Sequence, residues 1–338
     1  MSAFAHRTET PGDREKGTAL KRESDMRVSA VVPVHNSAAY IEETLHSLIN
    51  QKRRFDEIIV VDDGSTDGTV ELAGKYPVRI LSVPRCGRSA ARNIGLREAG
   101  GDIIAFIESD AVYESDWLSE VMQEFEKGSR AVIDRRRMYR PTTYYARLSD
   151  HLYDLRYAEY VPFNAWAMEK SLAEGVGGFD EGLYIAEDVD LGDRIKASGA
   201  SISLAEKAVH YHKGEASTFR CALRRSYLFG RGIPLYWLKD PRKRSLPRLA
   251  RTLALFWGIF CPPVFLYAFV KTLGKRYLWA IRKGMRVDYL PIEPFLYTAT
   301  QLFFQAGAAV TLAKGLFIKE KFRISWKGPI PSIEPRRQ

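Results

Sequence analysis

Three clusters of side chains in this chain have the types and spacing to do chemistry. Glu108-Ser109-Asp110 puts two acids two residues apart at the end of an apolar run. Paired carboxylates at a strand end suit a hard divalent cation, which takes oxygen ligands. An ordinary polar turn accounts equally well for the pair taken alone. Glu187-Asp188-Val189-Asp190 places three acids in four residues, after a Gly-Gly-Phe-Asp turn. Acids in a first helical turn help by ~0.3–1 kcal/mol each against the helix dipole, and this run exceeds what a cap requires. One of them could serve as a general base. Gly87-Arg88-Ser89, followed by Ala90-Ala91-Arg92-Asn93, gives a glycine turn before a helix start with two arginines. That arrangement suits a phosphate group or a plain turn and cap.

The elements that must position these clusters are legible from hydrophobic period. VSAVVPV (28–34), EIIVV (57–61), residues 78–83 and DIIAFI (102–107) read as short buried strands. Between them, helices are expected around Ile41, Leu45, Leu48 and Ile49, over 69–76 and over 89–99. Strands alternating with helices predict an α/β fold, a mostly parallel sheet flanked by helices. Ligands of such sheets sit beyond the carboxyl ends of the strands, where Asn36, Asp63 and Asp110 fall. From 134 to 160 arginine and tyrosine dominate. A strand, a short helix and a Gly-Gly turn are expected over 163–180, a helix within 185–199 and a last strand over 201–212.

The totals bound the partners. With 338 residues, 51 Lys and Arg against 41 Asp and Glu, the formal charge is +10. A basic chain suits nucleic acid, anionic lipid or phosphate-bearing substrates. The basic residues cluster beside apolar segments, which argues against nucleic acid. Cys86, Cys221 and Cys261 lack metal-ligand spacing and an even count, so a reducing compartment is the default. Residues 1–26 read as a disordered leader without a signal peptide, and Met26 as a candidate start.

The last third differs in kind. Residues 252–270 and 294–313 carry no charge over 19 and 20 positions. Both approach the ~20 residues that cross a bilayer, so hydrophobic membrane-associated helices are expected within 249–316. Pro262-Pro263 should break or kink the first, and Gln301 and Gln305 interrupt the second. Basic stretches at 239–251, 271–286 and 314–327 carry six, six and five Lys or Arg. They favour attachment from one side, against the anionic cytoplasmic leaflet. The expected organisation is a catalytic domain over 27–215, a basic amphipathic juxtamembrane segment over 216–248, the hydrophobic segments and a basic tail over 317–338.

Taken as a set, VVPVHN (31–36), VVDDGSTDGT (60–69), GRSAARNIG (87–95), residues 103–110, GGFDE (177–181) and EDVDL (187–191) closely resemble the inverting family 2 glycosyltransferases of the GT-A fold, of the membrane-associated bacterial and archaeal type. The resemblance covers about residues 27–215. It implies a nucleotide-sugar donor, UDP- or GDP-linked, and Mg²⁺ or Mn²⁺ to offset the charge of the leaving diphosphate. Pro33 and Asn36 would line the nucleotide pocket, Asp63 would accept a hydrogen bond from the base, and Arg92 would lie near the diphosphate. Asp62, Gly87, Arg88 and Ser109 would complete the donor site. Asp110 would bind the metal, with Glu108 beside it and His212 or, alternatively, His210 completing the set. Asp188 would be the general base, supported by Glu187. Glu108 departs from the family's usual Asp, and its extra methylene can reach a metal through water. The Gln/Arg-x-x-Arg-Trp motif of processive relatives is replaced by RCALRRSY (220–227) without the Trp, so one sugar is added per encounter.

The acceptor is less legible. Tyr139, Arg140, Tyr144, Tyr145, Arg147, Tyr153, Arg156 and Tyr157, with Arg224, Arg225 and Arg231, suit either a lipid-linked or membrane-proximal glycan or a solvated basic helix with aromatic packing. A polyprenyl-phosphate sugar synthase and a catalytically silent nucleotide-binding module are the alternative readings. The expected location is the cytoplasmic membrane, catalytic domain facing the cytoplasm.

Overall fold

The structure is a computed structural model. It describes residues 26–157, 166–213, 218–239 and 262–285, with a few positions between 288 and 308. The expected leader and basic tail lie outside the described residues.

The first half alternates as the hydrophobic period requires. In order come β1 (Val28–Val34), α1 (Ile41–Ile49), β2 (Glu57–Asp63), α2 (Thr69–Ala73), β3 (Arg79–Val83), α3 (Arg88–Glu98) and β4 (Ile103–Phe106). β1 pairs in parallel with β2 and β4, and β2 with β3. The period of two sends alternate residues to opposite faces. Val28, Ala30, Val32 and Val34 pack toward α1, while Val31, Ile59 and Val61 meet α3. α3 lies so close to β1 that a Cβ at Gly95 would stand 2.2 Å from Val31 Cγ1. Only glycine fits there.

The second half holds elements that the sequence reading did not resolve. β5 (Ala111–Tyr113), α4 (Trp117–Glu126), β6 (Ala131–Met138) and α5 (Tyr144–Tyr157) occupy the stretch after the first acid pair. Then follow β7 (Trp166–Glu169), α6 (Lys170–Gly175), α7 (Glu187–Ala197), β8 (Ile202–His212), α8 (Phe219–Lys239) and α9 (Pro262–Arg282). The sheet has eight strands in the order β3-β2-β1-β4-β7-β6-β8-β5. β4–β7, β6–β7 and β5–β8 are antiparallel, so the sheet is mixed, with parallel pairing in four of seven ladders. α1 and α4 cover one face, and α3, α6 and α7 the other.

The described residues do not support the expected C-terminal membrane helices. Among the described residues no helix is long and apolar enough to cross a membrane. α9 takes up the end of the first charge-free run and continues through Lys271, Lys275, Arg276 and Arg282, charges a span would have to bury. Pro262 and Pro263 stand in its first described turn. Residues 252–261 and most of 294–313 lie outside the described residues. α8, expected to be juxtamembrane, packs Tyr236 against Leu183 and Ala186 beside α7.

Candidate active site

β5 and β8 build the acidic centre. Their antiparallel register sets Ala111 opposite His212 and Tyr113 opposite His210. Lys213 N–H donates to the Asp110 carbonyl (2.8 Å), continuing that ladder. The pairing therefore carries His212 to the acid pair. Its Nε2 lies 3.2 Å from Asp110 Oδ1 and 3.4 Å from Glu108 Oε2. One donor atom from each of the three residues lies within 4.8 Å of the others. Glu108 Oε2 and His212 Nδ1 are buried without a hydrogen-bond partner among the described residues. Two carboxylates and an imidazole, with an orphaned buried oxygen, fit a divalent cation. Burial would raise both carboxyls. His212, first among the nearby groups, and Arg136 outweigh it, with His210 adding at Glu108. Glu108 is thereby held well below the usual range, and Asp110 is lowered too.

A buried chain stands behind Glu108. The register of β6 and β8 shifts between Asp134 and Arg135, a bulge that sets Arg136 opposite His210 and Met138 opposite His212. His210 Nδ1 meets the Asp134 carboxylate, which also accepts from Trp117 Nε1 (2.7 Å). His210 Nε2 faces Glu108 Oε2 at 3.5 Å. Tyr113 stacks on the His210 ring, and its hydroxyl accepts from the Glu108 N–H (3.0 Å). Burial pushes the His210 imidazole down, but Asp134, then Glu108, prevail and raise it to about 9. His210 thus faces Asp134 and the back of Glu108. Nothing in the sequence except the alternation His210-x-His212 pointed to this chain.

The second acid cluster is held by α3. Ser89 Oγ donates to the Leu183 carbonyl (3.0 Å), and Asn93 clamps Phe179, accepting from its N–H and donating to its carbonyl (2.8 Å each). Gly178, at φ +65°, leaves no room for a side chain, since a Cβ would sit 2.6 Å from Asn93 Oδ1. Arg92 donates to Glu187 Oε1 (2.9 Å) and lies over the Phe179 ring at 4.9 Å. The GRSAARN stretch, read as a phosphate turn, is therefore also the fastener for the loop that carries Asp188. Arg92, expected near the diphosphate, and Glu187, expected beside the base, are joined to each other in a buried pair.

Asp188 itself is half-buried at the start of α7. Burial first, then the Glu187 carboxylate, push its carboxyl up to about 7. Asp190 instead pairs with Arg194 (2.9 Å) on its own helix. Arg88 connects the two acid clusters. Glu187, 3.4 Å away, is the main cause of its raised pKa, with Glu108, Asp188 and Asp110 adding to it. An exposed guanidinium that feels four carboxylates is placed to meet an anion.

The expected nucleotide residues gather at the carboxyl ends of β1 and β2. Asn36, at φ 51°, accepts from the Thr66 N–H (2.9 Å), and Asp62 from the Ser65 N–H (2.9 Å). Pro33 is half-buried, opposite Val61. Ser109 Oγ lies 3.1 Å from Ser37 Oγ. Asp63 is committed inside the protein. Its carboxylate accepts from Arg85 (2.9 Å) and from the backbone N–H groups of Cys86 and Gly87. In this structure it shapes the loop before α3.

The fold is a mixed α/β sheet flanked by helices, of the GT-A type. Residues 29–173, under half of the chain, match the profile of glycosyl transferase family 2. It is similar to the pre-mycofactocin glycosyltransferase of Mycobacterium tuberculosis, 30% identical over 227 residues that cover 62% of this chain and 47% of that protein. The chain thus spans about half the length of that relative. Glycosyltransferase AglE of Haloferax volcanii is 25% identical over 287 residues, covering 78% of this chain and 90% of AglE. Among solved structures, the mannosyltransferase PcManGT of Pyrobaculum calidifontis, in complex with GDP-Man and Mn²⁺, superposes with a TM-score of 0.58 at 24% identity, covering 86% and 88% of the two chains.

Proposed function

We propose that the chain moves a glycosyl group from a nucleoside-diphosphate sugar to the hydroxyl of a lipid-linked or membrane-proximal glycan, with inversion at the anomeric carbon. The observation that carries this reading is the pairing of a metal-type cluster, Glu108-Asp110-His212, with a half-buried carboxyl at Asp188 raised to about 7. A base with a pKa near neutrality is partly ionised at neutral pH, and in its ionised form it can take the acceptor's proton. The acceptor oxygen forms its bond to the anomeric carbon as the bond from that carbon to the diphosphate oxygen breaks. The acceptor proton goes to Asp188, and the nucleoside diphosphate leaves with the bonding pair. Glu108, Asp110 and His212 would hold Mn²⁺ or Mg²⁺, which when bound offsets the charge of the departing diphosphate. Arg88 adds a guanidinium on the same side. Pro33, Asn36 and Asp62 line the nucleotide pocket, and Asp63 fixes the Arg85–Gly87 loop against it. PcManGT, solved with GDP-Man and Mn²⁺, supports a guanosine-linked donor of this kind.

The test is transfer to polyprenyl-diphosphate-linked saccharides by full-length wild type and Asp188→Asn. The reading expects transfer to fall about 10²–10⁴-fold with donor affinity nearly unchanged. If Asp188→Asn instead transfers normally to a bare polyprenyl phosphate, whose anionic oxygen needs no base, the acceptor is that lipid phosphate.

A further inference from the structure

α9 presents three faces. At the ~100° step of an α-helix, Arg276 and Ala280 fall on one side, and both are buried. Arg276 donates to Glu293 (2.7 Å) and stacks on Trp279 and Tyr297, while Ala280 joins Leu148 of α5, Met285 and Tyr289. This side fastens the helix to the body. On the side turned away lie Val270, Gly274, Tyr277, Leu278 and Ile281. The four large residues are 57%, 45%, 55% and 50% exposed for Val270, Tyr277, Leu278 and Ile281. They are four of the five large exposed hydrophobics among the described residues, gathered on one helix face. Next to this apolar stripe runs a basic one, with Lys271, Lys275 and Arg282 all exposed.

We infer that this face of α9 is a docking surface for an anionic lipid bilayer, the helix lying in the interface and not crossing it. An apolar stripe bordered by long cationic side chains is what a headgroup–acyl boundary accommodates. The stripe enters the acyl edge while the ammonium and guanidinium groups reach back to lipid phosphates. A second copy of the chain fits the face less well. An antiparallel two-fold contact would bring the basic stripes of the two copies together along one flank. The inference concerns attachment and stands apart from the reaction proposed above, since it holds for a soluble acceptor as well.

Full-length protein is floated with phosphatidylcholine vesicles, with and without a minority of phosphatidylglycerol. Binding should require the anionic lipid and weaken with salt. Val270→Ser/Leu278→Ser/Ile281→Ser should bind at least about tenfold more weakly, and Lys275→Gln/Arg282→Gln should lose the preference for anionic vesicles. Nucleotide affinity, measured alongside, should match wild type in both variants and shows that they are folded. Wild type that ignores anionic vesicles, or a serine variant that floats as well as wild type, overturns the inference. So does a wild-type dimer in sedimentation that the serine variant dissolves, because the face would then cover a second copy.

Discussion

Arg92 on α3 and Glu187 in the first turn of α7, 95 residues apart in sequence, meet at 2.9 Å with both side chains buried. This pair, with the Ser89 and Asn93 hydrogen bonds, fixes where α7 begins and hence where Asp188 stands. Removing one member of a buried pair leaves an uncompensated charge. Glu187→Ala should therefore cost about 3 kcal/mol in urea unfolding. A change below roughly 0.5 kcal/mol would mean that the pair behaves like a surface contact.

Asp188 links rate to pH. Transfer should rise as pH climbs through about 7, where its carboxyl ionises, and a profile flat from pH 5.5 to 8.5 would count against it as the base. Stability moves the other way. The carboxyl's ordinary value is 3.8 and the folded value about 7. Between these the folded chain keeps a proton that the unfolded chain has lost, so this residue's contribution falls as pH rises through that window. Above about 7 the penalty is complete. Asp188→Asn should raise Tm by roughly 2–8 °C at pH 8 and leave it nearly unchanged at pH 4.

His210 positions Glu108 from behind. His210→Phe keeps a ring against Tyr113 and removes the nitrogens that face Asp134 and Glu108. Groups that orient a metal ligand typically contribute 10–100-fold in affinity, so Mn²⁺ binding, read by calorimetry, should weaken by about that factor. Equal affinity would show that Glu108 keeps its place unaided.

Asp63 organises the loop before α3 through Arg85, Cys86 and Gly87. Asp63→Ala leaves those donors without an acceptor at about 1–3 kcal/mol for a buried group. Nucleoside diphosphate binding should weaken together with Tm. Loss of binding at unchanged Tm would instead point to direct contact between Asp63 and the nucleotide.

What was legible in the sequence follows period and local wording. β1, β2 and β4 carry near-continuous apolar runs, because sheets covered on both faces demand them. Their ends, with Asp63 and Asp110, could be read from that alone. β6 escaped because its buried side includes Asp134 and Arg136, charged residues that erase the usual alternation. β5 has three residues, too short for any period, yet its pairing with β8 brings His212 to Asp110. Glu187 reads as support for the base, and its pairing with Arg92 stays hidden because that partner lies on a distant helix. The charge-free run that ends at Val270 looked like a span because its continuation through Lys275 and Arg282 shows only once the helix is traced.

The most direct test is calorimetric titration of the full-length protein with UDP and GDP in Mn²⁺ and in EDTA, for wild type and Asp110→Asn. The account predicts nucleotide binding that needs Mn²⁺ and is lost, or weakened at least about a hundredfold, in Asp110→Asn. Binding of equal strength in EDTA, or unchanged by Asp110→Asn, would contradict a metal held by Glu108, Asp110 and His212.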